Sequence, residues 1–254
     1  MIHFVRNGIQ IGEIYFTETP PVPQLRVDLL RFISVLSPAD PLQHWHQGYT
    51  LIIDLSQPEE DVFSQMEKDT RYEVRRAMTK DNITISYTRD RNTGELTAFC
   101  RYYDEFAQAK ALRPVYRERL EQLAQHGMLT LSRAQREDGT ILVQHAYVTS
   151  GMQASLLHSA SHFRLSNETA SRNLIGRANR YLHWQDMCIF QQQGIAVYDM
   201  GGIDATGRTP ETTRIAEFKK SFGGTIVPVY SKTTHCSLKG LLALHLLKWM
   251  RISF

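Results

Sequence analysis

Cysteine is scarce in this 254-residue chain. Cys100, Cys188 and Cys236 stand far apart, with no CxxC pair among them. That argues against a disulfide framework or a thiolate zinc site and leaves buried, reduced thiols as the expectation. An excess of one charge is also lacking. Lys and Arg number 29 against 26 Asp and Glu, a net charge of +3, so any basic footprint has to be local. No run reaches the roughly 18 apolar residues of a membrane-spanning helix. The opening MIHFVRNGIQIGEIYF carries charge too early for a signal sequence, so a cytoplasmic location is expected. Repeats and low-complexity tracts are missing as well. What is present, 42% hydrophobic and 22% charged residues, suffices for one large or two small domains with a real core.

The pattern predicts a short hairpin, Ile2–Val5 and Ile9–Phe16, around Asn7-Gly8, then a link at Pro20-Pro21-Val22-Pro23. A helix over Leu25–Leu36 and a buried strand over Tyr49–Leu55 are expected next. Ser56 with Glu59 reads as a capping box opening a helix that runs to about Met78, with Pro58 in its first turn. From residue 82 the order is strand, two helices (Thr93–Ala107 and Pro114–Gln125), then three strands separated by Asp138-Gly139 and Ser150-Gly151. A long helix over about 167–193, a strand over Ile195–Asp199, a helix over Thr212–Phe222 and a strand over Thr225–Tyr230 complete it. Such an order calls for a mixed α/β (α+β) sheet with helices on both faces.

Three separated segments appear in one order: LIIDLSQPEEDVFSQMEKDTRYEVRRAMTKDNITI (51–85), ANRYLHWQDMCIFQQQGIAVYDMGGI (178–203) and IAEFKKSFGG (215–224). Together they resemble the FemAB/FemX-like, peptidoglycan-bridge-forming branch of the GNAT acyltransferase superfamily. The resemblance implies a GNAT-like fold and an acyl- or aminoacyltransferase whose donor is aminoacyl-tRNA, acyl-CoA or an acyl carrier and whose acceptor is an amine. Wall enzymes of this branch have two complete GNAT-like domains. This chain has room for a reduced first half (1–81), one domain (82–235) and a terminal helix (236–254), which removes the basis for carrying over their precursor specificity.

The resemblance places Lys219, within EFKKSFGG, in the active site near the donor carbonyl, with Phe218 beside it. On pattern alone Lys219 also reads as a solvated helix lysine next to Lys220. Asp199 ends an apolar strand before Gly201 and Gly202, where backbone can approach a ligand; it reads as orienting an amine or accepting its proton, or as a turn aspartate. His158, at a strand end, reads as a proton relay or as a structural histidine. Asn173–Ala178 (NLIGRA) partly matches a pyrophosphate-binding helix start, with Gly176 in place and Asn179 following. Arg71 and Arg75, at i and i+4 with Arg76 and Lys80 beyond, form a basic stripe suited to phosphates or simply to solvent. Arg113 and Tyr116 make a second such patch.

Direct attack by an amine needs no covalent enzyme intermediate, and no G-x-S-x-G elbow or Cys/His pair is found. His44 with His46 and His158 with His162 lack an acidic or thiol partner at ligand spacing, so no metal and no tightly bound cofactor is expected. Leu238–Phe254 is densely apolar, flanked by Lys239, Lys248 and Arg251. It reads as a docked terminal helix, or as one at a subunit or membrane interface. A non-catalytic module holding RNA or a nucleotide on its arginine faces is the competing functional reading.

Overall fold

A computed structural model describes residues 1–19, 26–39, 45–89, 93–162, 168–204 and 209–250. Its strands are β1 (Ile2–Arg6), β2 (Ile9–Tyr15), β3 (Leu29–Val35), β4 (His46–Asp54), β5 (Ile83–Thr88), β6 (Leu129–Arg136), β7 (Ile141–Ser150), β8 (Gln153–Ser161), β9 (Val197–Gly202) and β10 (Thr225–His235). The helices are α1 (Glu59–Ser64), α2 (Lys68–Lys80), α3 (Thr93–Ala109), α4 (Arg117–Gln125), α5 (Thr169–Gln192), α6 (Pro210–Lys220) and α7 (Leu238–Met250). The strands form one mixed sheet in the order β1-β2-β3-β10-β4-β9-β8-β7-β6-β5. Segments 1–81 and 82–235 therefore both feed the same sheet, and β10 lies between β3 and β4.

The sheet is covered on both faces. Strand β7 shows why: Val143 packs with α5, and Tyr147 joins a core of Val74, Met187 and Phe190. Ala146 and Val148 join the opposite core with Phe99, Leu120 and Leu123. A strand buried on both faces has no polar alternation, which matches the nearly continuous burial of ILVQHAYVTS. The sheet also curls. Helix α4 packs against both β6 and β1, which are far apart in the strand order. Glu13 fastens this closure. Fully buried, it accepts from Arg31 of β3 at 2.6 Å, from Arg119 of α4 at 2.7 Å and from Tyr15 at 2.5 Å. Two guanidinium donors and a phenol compensate a carboxylate that would otherwise be costly to bury.

Several local expectations change. Residues 29–35 form a strand, where the pattern suggested a helix over Leu25–Leu36; parallel pairing with β2 and antiparallel pairing with β10 override local preference. The proline link at 20–23 lies outside the described residues, as does His44. The helix expected from Ser56 to Met78 is two helices. Pro58 is the first cap without a side-chain bond, and Ser56 instead donates to Asp54. Pro114 precedes α4, whose cap is Tyr116. Strand β10 runs five residues past Tyr230, because β3 offers it a second partner. All three cysteines are free, but Cys188 is partly exposed and Cys236 exposed, not buried. Helix α7 packs on β10 and β2 and leaves Leu238, Leu242 and Leu246 open to solvent. No helix among the described residues is long and apolar enough to cross a membrane.

The paired glycines of KSFGG have a backbone reason. Both adopt φ of +81°, and a Cβ on Gly224 would stand 2.4 Å from the Ile52 carbonyl oxygen of β4. Gly127, at φ +66°, has nothing within 4 Å of such a Cβ. Gly127→Ala should therefore cost about 1 kcal/mol through backbone conformation alone, and Gly224→Ala clearly more. Denaturant melts of the two variants measure the difference; equal costs would remove the close approach as the cause.

Candidate active site

Strands β8 and β9 run parallel but pair over only three positions, Gln153–Val197, Ala154–Tyr198 and Ser155–Asp199. Beyond Ser155 no pairing continues, although β8 extends to Ser161 and β9 to Gly202. A bulge in β8, where the register against β7 shifts between Ala146–His158 and Tyr147–Leu156, adds a residue at this point. A cleft of about 550 Å³ opens there, walled by Leu156 and His158 of β8, Met200 of β9, Tyr103 of α3, and Phe218 and Lys219 of α6. A smaller lobe of about 270 Å³ adjoins it, lined by Ser161, His162, Gly176 and Arg180. Phe106, Lys110, Ser161, Asn179 and Phe218 border both.

Lys219 sits at the mouth of the split. Its Nζ donates to the carbonyl oxygens of Gly201 at 3.0 Å and Gly202 at 2.7 Å. Burial pushes its pKa down to about 8, opposed by the negative charge of Asp199. An ammonium has three donors, so one remains for a ligand. Gly201 makes this arrangement possible: its φ is +79°, and a Cβ there would stand 3.2 Å from the Leu156 carbonyl oxygen and 3.7 Å from Lys219 Nζ.

Asp199 lies under the Gly201 turn and is almost fully buried. Its carboxylate accepts from the Thr50 hydroxyl, from Ser155 Oγ at 2.9 Å and from the Gly201 N–H at 2.8 Å. These bonds tie β4, β8 and the turn together and lend negative charge to Lys219. His158 packs edge-on against Tyr103, ring centroids 4.6 Å apart, and burial together with the field of Arg119 holds its pKa down at about 4. It is therefore neutral at pH 7.

Other residues singled out by the sequence fall elsewhere. Gly176 borders the smaller lobe but lies inside α5, eight residues into the helix, where its N–H belongs to the helix ladder. NLIGRA is thus not a phosphate-binding helix start in this fold, because α5 begins at Thr169. Arg71 donates to the carbonyls of Ser64 and Met66 and so fastens α1 to α2. Arg75 stacks over Phe63 at 5.0 Å. Arg113 is exposed between α3 and α4. The Tyr116 hydroxyl donates to the Val5 carbonyl and packs its ring against Phe4. None of these four lines the cleft.

Sequence reasoning missed a buried polar chain directly beneath the cleft. His183 Nδ1 meets the Tyr198 hydroxyl at 2.7 Å, which meets the Tyr147 hydroxyl at 2.7 Å. Tyr147 donates to Asp186 Oδ2 at 2.6 Å, and His145 Nδ1 reaches the same oxygen at 2.8 Å. His145 Nε2 lies 2.9 Å from Asn179 Oδ1. Asn179, His183 and Asp186 recur at i, i+4 and i+7, a polar stripe along an α5 face that faces the core; that stripe was the available signal. His145, His183 and Asp186 hold ligand atoms within 4.8 Å of one another, near enough to share a cation. Both nitrogens of His145 and Oδ2 of Asp186 are, however, already engaged in hydrogen bonds. Arg180, which the sequence reading also passed over, lies over the Phe218 ring at 5.1 Å and pairs with Glu73 at 3.1 Å.

No family model matches the chain, and no curated protein matches it in sequence. Solved structures do share its fold. A structure of FemX superposes with a TM-score of 0.61 at 15% identity, over 80% of this chain and 72% of that one. L-PGS from Bacillus licheniformis gives 0.53 at 14% identity, over 86% and 72%. The GNAT-like mixed α/β fold implied by the sequence resemblance is the fold observed.

The neutral His158 has a consequence for stability. Between about pH 4 and 6.5 the unfolded chain binds this proton and the folded chain does not. Its contribution is full above pH 6.5 and is lost as pH falls toward 4. Denaturation at pH 7 and 4.5 should show the wild type losing about 2–3 kcal/mol more than His158→Gln. Equal losses in both proteins would refute the assignment.

Proposed function

We propose that this chain is a Fem-type acyltransferase that catalyses direct attack of an amine on an activated acyl or aminoacyl carbonyl bound in the β8/β9 cleft. The observation that carries this reading is the Lys219 ammonium, fixed on two backbone carbonyls where parallel strands part, with one donor to spare. The resemblance of EFKKSFGG to the active-site segment of Fem-type enzymes supports it, as does the fold shared with FemX.

In this reading the amine enters the cleft and adds to the carbonyl carbon. Lys219 donates to the oxyanion that forms, a role worth about 3 kcal/mol for one well-placed donor. Asp199 acts indirectly, by holding the Gly201 turn and favouring the charged lysine. Phe218 and Asn179 shape the walls, and the Gly201 and Gly202 carbonyls set the position of Nζ. His158 contributes a neutral ring to the cleft wall.

The donor is aminoacyl-tRNA or an acyl thioester on coenzyme A or a carrier protein, which places the reaction in the cytoplasm. Lys110, Arg214 and Lys219 line the main cleft and Arg180 the adjoining lobe, a setting suited to a phosphate-bearing donor. With Gly176 inside α5, the pyrophosphate loop gives no preference for coenzyme A. The exposed leucines of α7 suit a subunit or membrane contact. A non-catalytic RNA-binding module is the second reading, but Arg71 and Arg75, on which it leaned, are engaged with the protein itself.

Transfer assays with labelled aminoacyl-tRNA and acyl-CoA, run against a panel of amines, test the proposal. Lys219→Ala should lower kcat about 10²–10³-fold. Because Lys219 carries its charge only below about pH 8, activity should decline on the alkaline side. Lys219→Arg should retain part of the rate and move that decline upward. Unchanged turnover in Lys219→Ala would refute the role, and salt-sensitive RNA binding without turnover on either donor would favour the second reading.

A further inference from the structure

The buried chain beneath the cleft has a direction set by its donors. Asp186 Oδ2 accepts from the Tyr147 hydroxyl, whose single proton is thereby used. Tyr147 must then accept from Tyr198, 2.7 Å away, and Tyr198 must accept from His183 Nδ1, also 2.7 Å away. The proton of His183 consequently sits on Nδ1, and Nε2 carries a lone pair. Among the described residues no hydrogen bond reaches that Nε2, and His183 lines the cleft beside Phe218 and Lys219. The other end of the chain is the Asp186 carboxylate, whose Oδ2 accepts the Tyr147 hydrogen bond and whose Oδ1 is buried without a hydrogen-bond partner.

We infer that His183 is the proton acceptor of the reaction, and that Tyr198, Tyr147 and Asp186 form a relay that holds the proton during transfer. The inference rests on the acyltransferase reading and deepens it. A free amine forms its N–C bond to the carbonyl carbon, and the nitrogen gives a proton to His183 Nε2. The Nδ1 proton passes to Tyr198, the Tyr198 proton to Tyr147 and the Tyr147 proton to Asp186 Oδ2. Each intermediate group ends with as many protons as it began, and Asp186 becomes a neutral carboxyl. As the bond from carbon to the leaving oxygen or sulfur breaks, the same steps run backward and the proton leaves on that atom.

The relay suits its surroundings. Burial and the positive charges of Lys219 and Arg180, with His145 beside it, hold the His183 pKa well below its ordinary value. A standing imidazolium is therefore disfavoured, and passing the proton on to a carboxylate avoids one. Burial and the nearby Asp186 likewise raise both tyrosines far above their usual range, so neither is a phenolate at rest. His145, donating to the same Asp186 oxygen, orients the carboxylate and is a positioning residue.

Nitrogen-15 NMR of the imidazoles in the wild-type protein tests this without any substrate. The inference requires His183 to be neutral with its proton on Nδ1 between pH 6 and 8. A proton on Nε2, or an imidazolium, would overturn it. So would stoichiometric zinc uptake that perturbs His145 and His183, because the chain would then be a metal site. In the transfer assay, Tyr198→Phe should lower kcat at least 10-fold with KM nearly unchanged and should reduce the solvent deuterium isotope effect. His183→Gln should lower kcat about 10²–10⁴-fold. An active wild type with unaffected Tyr198→Phe defeats the relay alone. A wild type inactive on every donor defeats the transferase reading, and the catalytic role of His183 with it, while the tautomer measurement still decides the hydrogen-bond direction.

Discussion

A lysine ammonium resting on two carbonyl oxygens is the contact around which this molecule is arranged. Lys219 can reach Gly201 and Gly202 only because β9 turns there at a positive φ that glycine tolerates. That turn is pinned from below by Asp199, which in turn needs Thr50 and Ser155 from the strands on either side. Helix α6 brings the lysine over the sheet and is followed by Gly223 and Gly224, whose backbone presses against Gln65, just past α1, and against β4 too closely for a Cβ. Every element named here serves one placement. A half-buried cation, partly desolvated, is held between fixed dipoles at the point where two parallel strands separate.

The same site draws its second property from the interior of α5 and β7. A hydrogen-bonded chain of two tyrosines, two histidines and a carboxylate is expensive to bury unless each member is satisfied. Here, among the described residues, the exceptions are Asp186 Oδ1, buried without a partner, and Nε2 of the cleft-lining His183. Interiors seldom keep an unpartnered carboxylate oxygen without a use. The Asp186 carboxylate stands at the far end of a chain that begins at the cleft, where Oδ2 receives the relayed proton.

Much of the architecture could be read from residues alone, for identifiable reasons. From residue 82 onward the order of elements follows local signals: Gly139 and Gly151 in tight turns at positive φ, and Gly194 ending α5. Over residues 25–36 the local pattern misled. Leu29–Val35 is a strand because of partners as remote as Thr233, and no local pattern encodes a pairing across two hundred residues. The Asn7-Gly8 hairpin, purely local, was legible. Within the site, Lys219, Phe218 and the two glycines of β9 came from motif resemblance. His145, Tyr147 and Asp186 did not, since each reads alone as an ordinary core residue and only the packing of α5 on β7 joins them. Arg71 and Arg75 show what a stripe read from sequence leaves out. A basic stripe on a helix suggested a ligand, and the fold spends it on carbonyls and an aromatic ring.

The central claim concerns where a donor carbonyl binds. Its most direct test is a structure with a hydrolysis-resistant donor that keeps its carbonyl, either an amide-linked aminoacyl RNA or a ketone analogue of acyl-CoA. The reacting carbonyl should lie between the parting ends of β8 and β9, its oxygen within hydrogen-bonding distance of Lys219 Nζ. An analogue seated on the outer face of α2 with the cleft empty, or one that fails to bind at all, would contradict the account.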